Sequence, residues 1–161
     1  MRVLWLVAAV SLALAPAELP AAQATIDDIA INGTLRAVSD GQWAKTNEVF
    51  HDESTVSSLW TVTSACTGVF DCTGTVHSDQ GWTAPIRYQS RMWFVSRTLP
   101  DWEHCADGTS VPGKQIVKFY RDPPDDPTIF KGWDTVVGPS GACGINTPLV
   151  IEMPFKLTPP P

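Results

Sequence analysis

A chain of 161 residues with 43% hydrophobic side chains has room for one compact domain and too little for two of ordinary size. Its net charge of −6 excludes the basic footprint by which proteins hold nucleic acid or anionic lipid, and fits a monomer that resists self-association. Charge carries no information about fold, which has to be read along the chain.

The chain opens on Met1 and Arg2, then an almost unbroken apolar run from Val3 to Ala15, then Ala22-Gln23-Ala24. A positive end, an apolar stretch and an A-x-A site, in that order, are what a signal peptidase reads. The run is shorter than the roughly 20 apolar residues that span a bilayer, so no membrane span is expected. Residues 1–24 are therefore predicted to be a signal peptide, residues 25–157 a single β-rich extracellular domain, and residues 158–161 a proline-rich disordered tail. Arg2 and Glu18 leave with the leader, so the mature chain keeps its charge.

Beyond Thr25 no amphipathic helix is legible. Short runs of β-branched and aromatic residues alternate with polar ones and are cut by Gly, Asp, Ser and Pro. Strands are expected over 31–38, 55–63, 72–77, 82–90, 92–99, 114–121 and 149–157. In the second of these Val56, Ser58, Trp60 and Val62 share one face, predicted to be the core face. A short helical turn is expected around 44–52, and long irregular connections over 100–113 and 121–127. Pro154 is expected to place the last strand at an edge or to force a bulge. Many short strands without helices predict an all-β domain, either an antiparallel β-sandwich or a small meander barrel. Gly33-Thr34 to Trp43 echoes Gly74-Thr75 to Trp82, and the recurrence follows from the turn chemistry of Ser, Asp and Gly.

Cys66, Cys72, Cys105 and Cys143 make an even set in an exported chain, which reads as two disulfides. Three pairings are open. Cys66–Cys72 as a local clasp with Cys105–Cys143 joining distant segments is favoured, contributing roughly 2–4 kcal/mol each in the chain-entropy model. A metal site is not expected, because no C-x-x-C occurs and no histidine lies at ligand spacing.

Several blocks resemble a family of small exported mycobacterial proteins of unassigned function. They are Gly33-Thr34 to Asn47, Asp71 to Val76, Ser78 to Trp82, Gly138 to Gly144, and Ile151 to Phe155. Similar segments occur in the extracellular parts of some actinobacterial Ser/Thr protein kinases. The resemblance implies a shared domain over nearly the whole mature chain. It implies no catalytic residue, and the acidic proline loop Asp122 to Pro127 is not part of its pattern.

No catalytic residue and no cofactor are predicted. His51-Asp52-Glu53 reads as a polar turn, His77-Ser78-Asp79 as neighbours that cannot converge like a triad, and Gly138-Pro139-Ser140-Gly141 lacks the G-x-S-x-G spacing. Asp122, Asp125 and Asp126 lack the ordered spacing of a calcium loop, and Asp101, Glu103 and Asp107 form no glycosidase pattern. Tryptophan is the anomaly, with seven in the chain, of which only Trp5 leaves with the leader. Trp60 and Trp93, inside alternating strands, are expected in the core. Trp102 and Trp133, in segments that read as irregular, are the candidate binding surface. The expected role is a secreted, non-enzymatic domain that binds an unidentified cell-envelope or extracellular ligand. A secreted hydrolase with an unrecognised site and a structural envelope component are the alternatives.

Overall fold

The computed structural model describes residues 29–122 and 128–160, and the alternating runs form a closed antiparallel barrel rather than a sandwich. Its strands are β1 (Gly33–Ser39), β2 (Lys45–Thr46), β3 (Val49–Phe50), β4 (Val56–Gly68), β5 (Asp71–Ser78), β6 (Thr83–Gln89), β7 (Met92–His104), β8 (Ser110–Arg121), β9 (Phe130–Val137) and β10 (Val150–Thr158). β4 to β10 run as a meander, each strand paired with the next. β1 closes the ring, with β4 on one side and the second half of β10 on the other, Ser39 opposite Phe155 and Arg36 opposite Thr158. Closure removes the free edges that an open sheet of this length would expose.

Period-two alternation decides which side chains enter the barrel. In β4, Ser58, Trp60, Val62 and Ser64 point inward while their neighbours face solvent, and Val56, expected on the core face, is exposed at the start of the strand. The lumen is filled by rings in succession. Trp60 meets Trp82 edge-on at 5.4 Å and Phe155 at 5.3 Å, and Phe119 touches Phe155 at 5.5 Å and Phe130 at 5.8 Å. The barrel interior is therefore a packed core.

Three segments depart from the expected strand plan, each for a local reason. β9 was not expected, because Gly132 and Asp134 interrupt its alternation. Gly132 is required there, since a Cβ would collide with the Lys118 carbonyl of β8, and Asp134 has partners inside the barrel. The stretch 100–113 is not an irregular connection. β7 and β8 continue as a hairpin past a bulge between Leu99 and Glu103, which takes in Pro100 with Pro112 across from it. The 44–52 segment holds no helical turn but the β2–β3 hairpin, whose two-residue loop has positive φ at Asn47 (47°) and Glu48 (68°). The helical turn lies earlier, a 3₁₀ turn at Gly41–Trp43 capped by the Asp40 side chain.

Pro154 is accommodated without an edge. Its carbonyl accepts from the Asp40 N–H at 2.8 Å, so its missing N–H faces the same side. That is where β1 ends and the chain detours through the 3₁₀ turn before β2 rejoins β10 at Glu152 and Ile151. The irregularity demanded by the proline is thus carried by the neighbouring strand. β10 extends through Thr158, one residue beyond its expected end.

The disulfides join Cys66 to Cys72 and Cys105 to Cys143, at opposite ends of the barrel. They close separations of 6 and 38 residues, for which the chain-entropy model gives about 2 and about 4 kcal/mol. The C105A/C143A pair is therefore expected to lower the urea midpoint more than C66A/C72A. Equal shifts would show that loop length does not set their contribution.

Candidate functional site

The outer face of four adjacent strands carries a pair of exposed rings, Tyr120 and Trp133. Because residues two apart share a face, β8 presents Lys118 and Tyr120, and β9 presents Lys131 and Trp133. β10 presents Pro154, Lys156 and Thr158, and β1 presents Arg36 and Val38. Register aligns these into rows. Trp133 lies between Lys118 and Pro154, and Lys131 lies between Tyr120 and Lys156. The Trp133 and Tyr120 rings are 6.2 Å apart, and the Lys118 ammonium sits 5.2 Å from the Trp133 ring centre.

Two depressions adjoin on this face. The larger, about 610 Å³, is lined by residues including Arg36, Asp40, Tyr120, Lys131, Trp133 and Lys156. The smaller, about 220 Å³, is lined by Trp43, Lys45, Phe50, Trp133, Glu152 and Pro154. Trp133 and Pro154 belong to both, so they form the ridge between them. The rings here are open to solvent, Trp133 by 37%, Trp43 by 63% and Phe50 by 67%. Lys131 is bonded to Asp122 at 2.5 Å, which raises its pKa above the usual lysine value.

Behind this face, on the inward side of β9, Asp134 anchors the strand. It accepts from the Ser39 hydroxyl at 2.7 Å and from the Gln115 amide at 2.8 and 2.9 Å, while Arg97 Nε donates to Gln115 Oε1 at 2.5 Å. The Arg97 guanidinium in turn stacks on Trp82 at 4.1 Å. Burial pushes the Asp134 carboxyl pKa up, against the opposing pull of these hydrogen bonds and of Arg97. Burial likewise lowers the Arg97 pKa, with Asp134 opposing. This network joins β1, β7, β8 and β9, and so stiffens the sheet that displays Trp133.

The two candidate tryptophans are separated. Trp133 stands at the centre of the outer face. Trp102 is half-buried, its ring over Gly113 and beside Gly138, filling space that a Cβ at either glycine would occupy. It lines neither depression. Tyr120, Lys131, Lys156, Trp43 and Phe50 were not singled out by sequence. Without β9, nothing in the sequence set Trp133 beside Tyr120.

Among the described residues, the side chains with chemical potential form no relay. His51 is 68% exposed, and its Nδ1 lies 3.2 Å from Glu53 Oε1. The Thr46 hydroxyl donates to that same carboxylate oxygen rather than to the histidine, so base and hydroxyl are not in line. His77 pairs across strands with the Thr83 hydroxyl at 2.9 Å. Asp101 accepts from Ser110, and Asp107 from Thr109, which lowers the Asp107 pKa. Asp125 and Asp126 lie outside the described residues. Among the described residues, no three His, Cys, Asp or Glu side chains gather as metal ligands. The arrangement is suited to holding a ligand against rings and charges.

No family model matches the chain, and no curated protein does. Among solved structures it is similar to the sensor domain of M. tuberculosis PknI, in its monomer form. The TM-score is 0.61 at 12% identity, over 81% of this chain and 88% of that one. The likeness is one of fold. A barrel of this kind is thus used as a sensor domain in at least one mycobacterial protein.

Proposed function

We propose that this chain is an exported, non-enzymatic binding domain whose ligand site is the outer face of β1, β8, β9 and β10, with Trp133 as its anchor. The carrying observation is the pair of adjoining depressions that share Trp133, ringed by exposed aromatics and cations on a stiffened sheet. An exposed aromatic with a rigid support is the usual form of a binding hot spot. Extracellular placement is supported by two disulfides, by the leader-like residues 1–24, and by the sensor domain whose fold the chain shares. The resemblance of several blocks to kinase extracellular segments points the same way. A ligand in the cell envelope is the favoured target.

Trp133→Ala is expected to leave the urea midpoint close to that of the parent while reducing retention on insoluble envelope material at least tenfold, or ~1.4 kcal/mol. Trp102→Ala is expected to act differently, lowering stability because its ring fills the space over two glycines. Full retention by the Trp133 variant would remove the site from this face.

A further inference from the structure

The outer face is more cationic than the rest of this acidic chain. Arg36, Lys45, Lys118, Lys131 and Lys156 line or flank the depressions against Asp40, Asp122 and Glu152, five cations to three carboxylates in a chain of net −6. Two of the lysines, Lys131 and Lys156, are direct cross-strand neighbours. Like charges so placed destabilise a sheet. Asp122 relieves Lys131, but among the described residues neither Lys156 nor Arg36 has a carboxylate partner. The rings already hold ammonium groups, Lys118 on Trp133 and Lys45 on Phe50 at 5.3 Å, so a cationic ligand would be repelled. An anion would relieve the lysine pair.

We infer that the occupant is an acidic polysaccharide, a chain of sugar rings bearing carboxylates, laid across both depressions. This rests on the reading of the face as a ligand site. Three features favour it over other polyanions. Exposed rings on either side of the Trp133–Pro154 ridge offer successive flat surfaces to the apolar C–H faces of sugars. Asp40 and Glu152 stand among the cations, one oxygen of each engaged by Gln42 N–H and by the Thr135 hydroxyl. Carboxylates accept from sugar hydroxyls but repel a strand with a phosphate at every residue. An extended acidic peptide gains little here, because β8, β9 and β10 are each paired on both sides and offer no edge to extend.

The test uses the purified full chain and polygalacturonate, with its methyl-esterified form, polyglutamate and oligo-dT as comparators. Polygalacturonate is expected to bind with an affinity that falls with salt. Trp133→Ala and Lys156→Gln should each weaken it about tenfold, while Arg87→Gln, an equal loss of charge on β6, should not. Lys156 is exposed, so its variant reports binding even if Trp133→Ala perturbs folding. Equal binding of the methyl ester would remove the role of charge, and equal binding of polyglutamate or oligo-dT would remove the role of the sugar. Either result overturns the inference. If polygalacturonate does not bind while Trp133→Ala still lowers envelope retention, the glycan assignment fails and the site stands. If envelope retention is also unchanged, the site itself fails.

Discussion

Trp60→Ala is expected to lower the free energy of unfolding by about 3–5 kcal/mol, the range for truncating a buried aromatic. Trp60 is 4% exposed and packs against both Trp82 and Phe155, so its loss leaves a void beside both rings. Its indole N–H also donates to the buried Ser58 hydroxyl at 3.0 Å, and truncation leaves that oxygen without its donor. A domain of this size has total stability of about 5–15 kcal/mol, so the variant would retain a fraction of its margin. Trp133→Ala, which removes a ring from the outer surface, should cost under ~1 kcal/mol. Urea unfolding of both variants by tryptophan fluorescence measures the contrast. Equal losses would mean that Trp133 is packed as tightly as Trp60, and the outer face would then have no accessible anchor.

That contrast shows how far the sequence could be read. Strands announced by strict alternation, β4 above all, were legible because one face is buried and the other wet. The all-β class followed from several such strands. A barrel was one of the two architectures expected, but the choice between barrel and sandwich was not legible, because it depends on β1 meeting β10, a pairing between chain ends that no local pattern encodes. β9 was hidden for the same physical reason that lets it pack into the barrel. Gly132 gives up a side chain so that β8 and β9 can approach, and Asp134 gives up apolar character to tie four strands together. With the strand unseen, Trp133 read as an exposed ring in a loop, when it is an exposed ring on a sheet. Trp102 was placed in a loop on the same grounds, and there the glycines that flank the segment in sequence or in space are the seat of the ring.

The two faces of β9 are therefore coupled by covalent succession. Trp133 points out and Asp134 points in, so the rigidity of the outer face depends on how well the inner network is satisfied. A ligand held by rings and point charges needs those groups fixed in place before it arrives, since ordering them on binding would reduce affinity.

Asp134→Ala is accordingly expected to cost about 3 kcal/mol or more, because it strands the Ser39 hydroxyl, the Gln115 amide and, through Gln115, the half-buried Arg97 cation. The pH dependence gives a sharper test. Burial is the largest influence on the Asp134 carboxyl and raises its pKa in the folded chain above the ordinary value of about 3.9. The folded state thus holds this proton more tightly than the unfolded state. The stability contributed by the group is fully present below that ordinary value and is lost as pH rises through the elevated one. Asp134→Asn keeps the size of the side chain but does not titrate. The advantage of the parent over Asp134→Asn in urea unfolding should therefore be greatest in acid and shrink as pH rises above about 4. If the advantage instead grows with pH, the hydrogen bonds and Arg97 outweigh burial, and the carboxylate is held in the barrel as a stabilising anion.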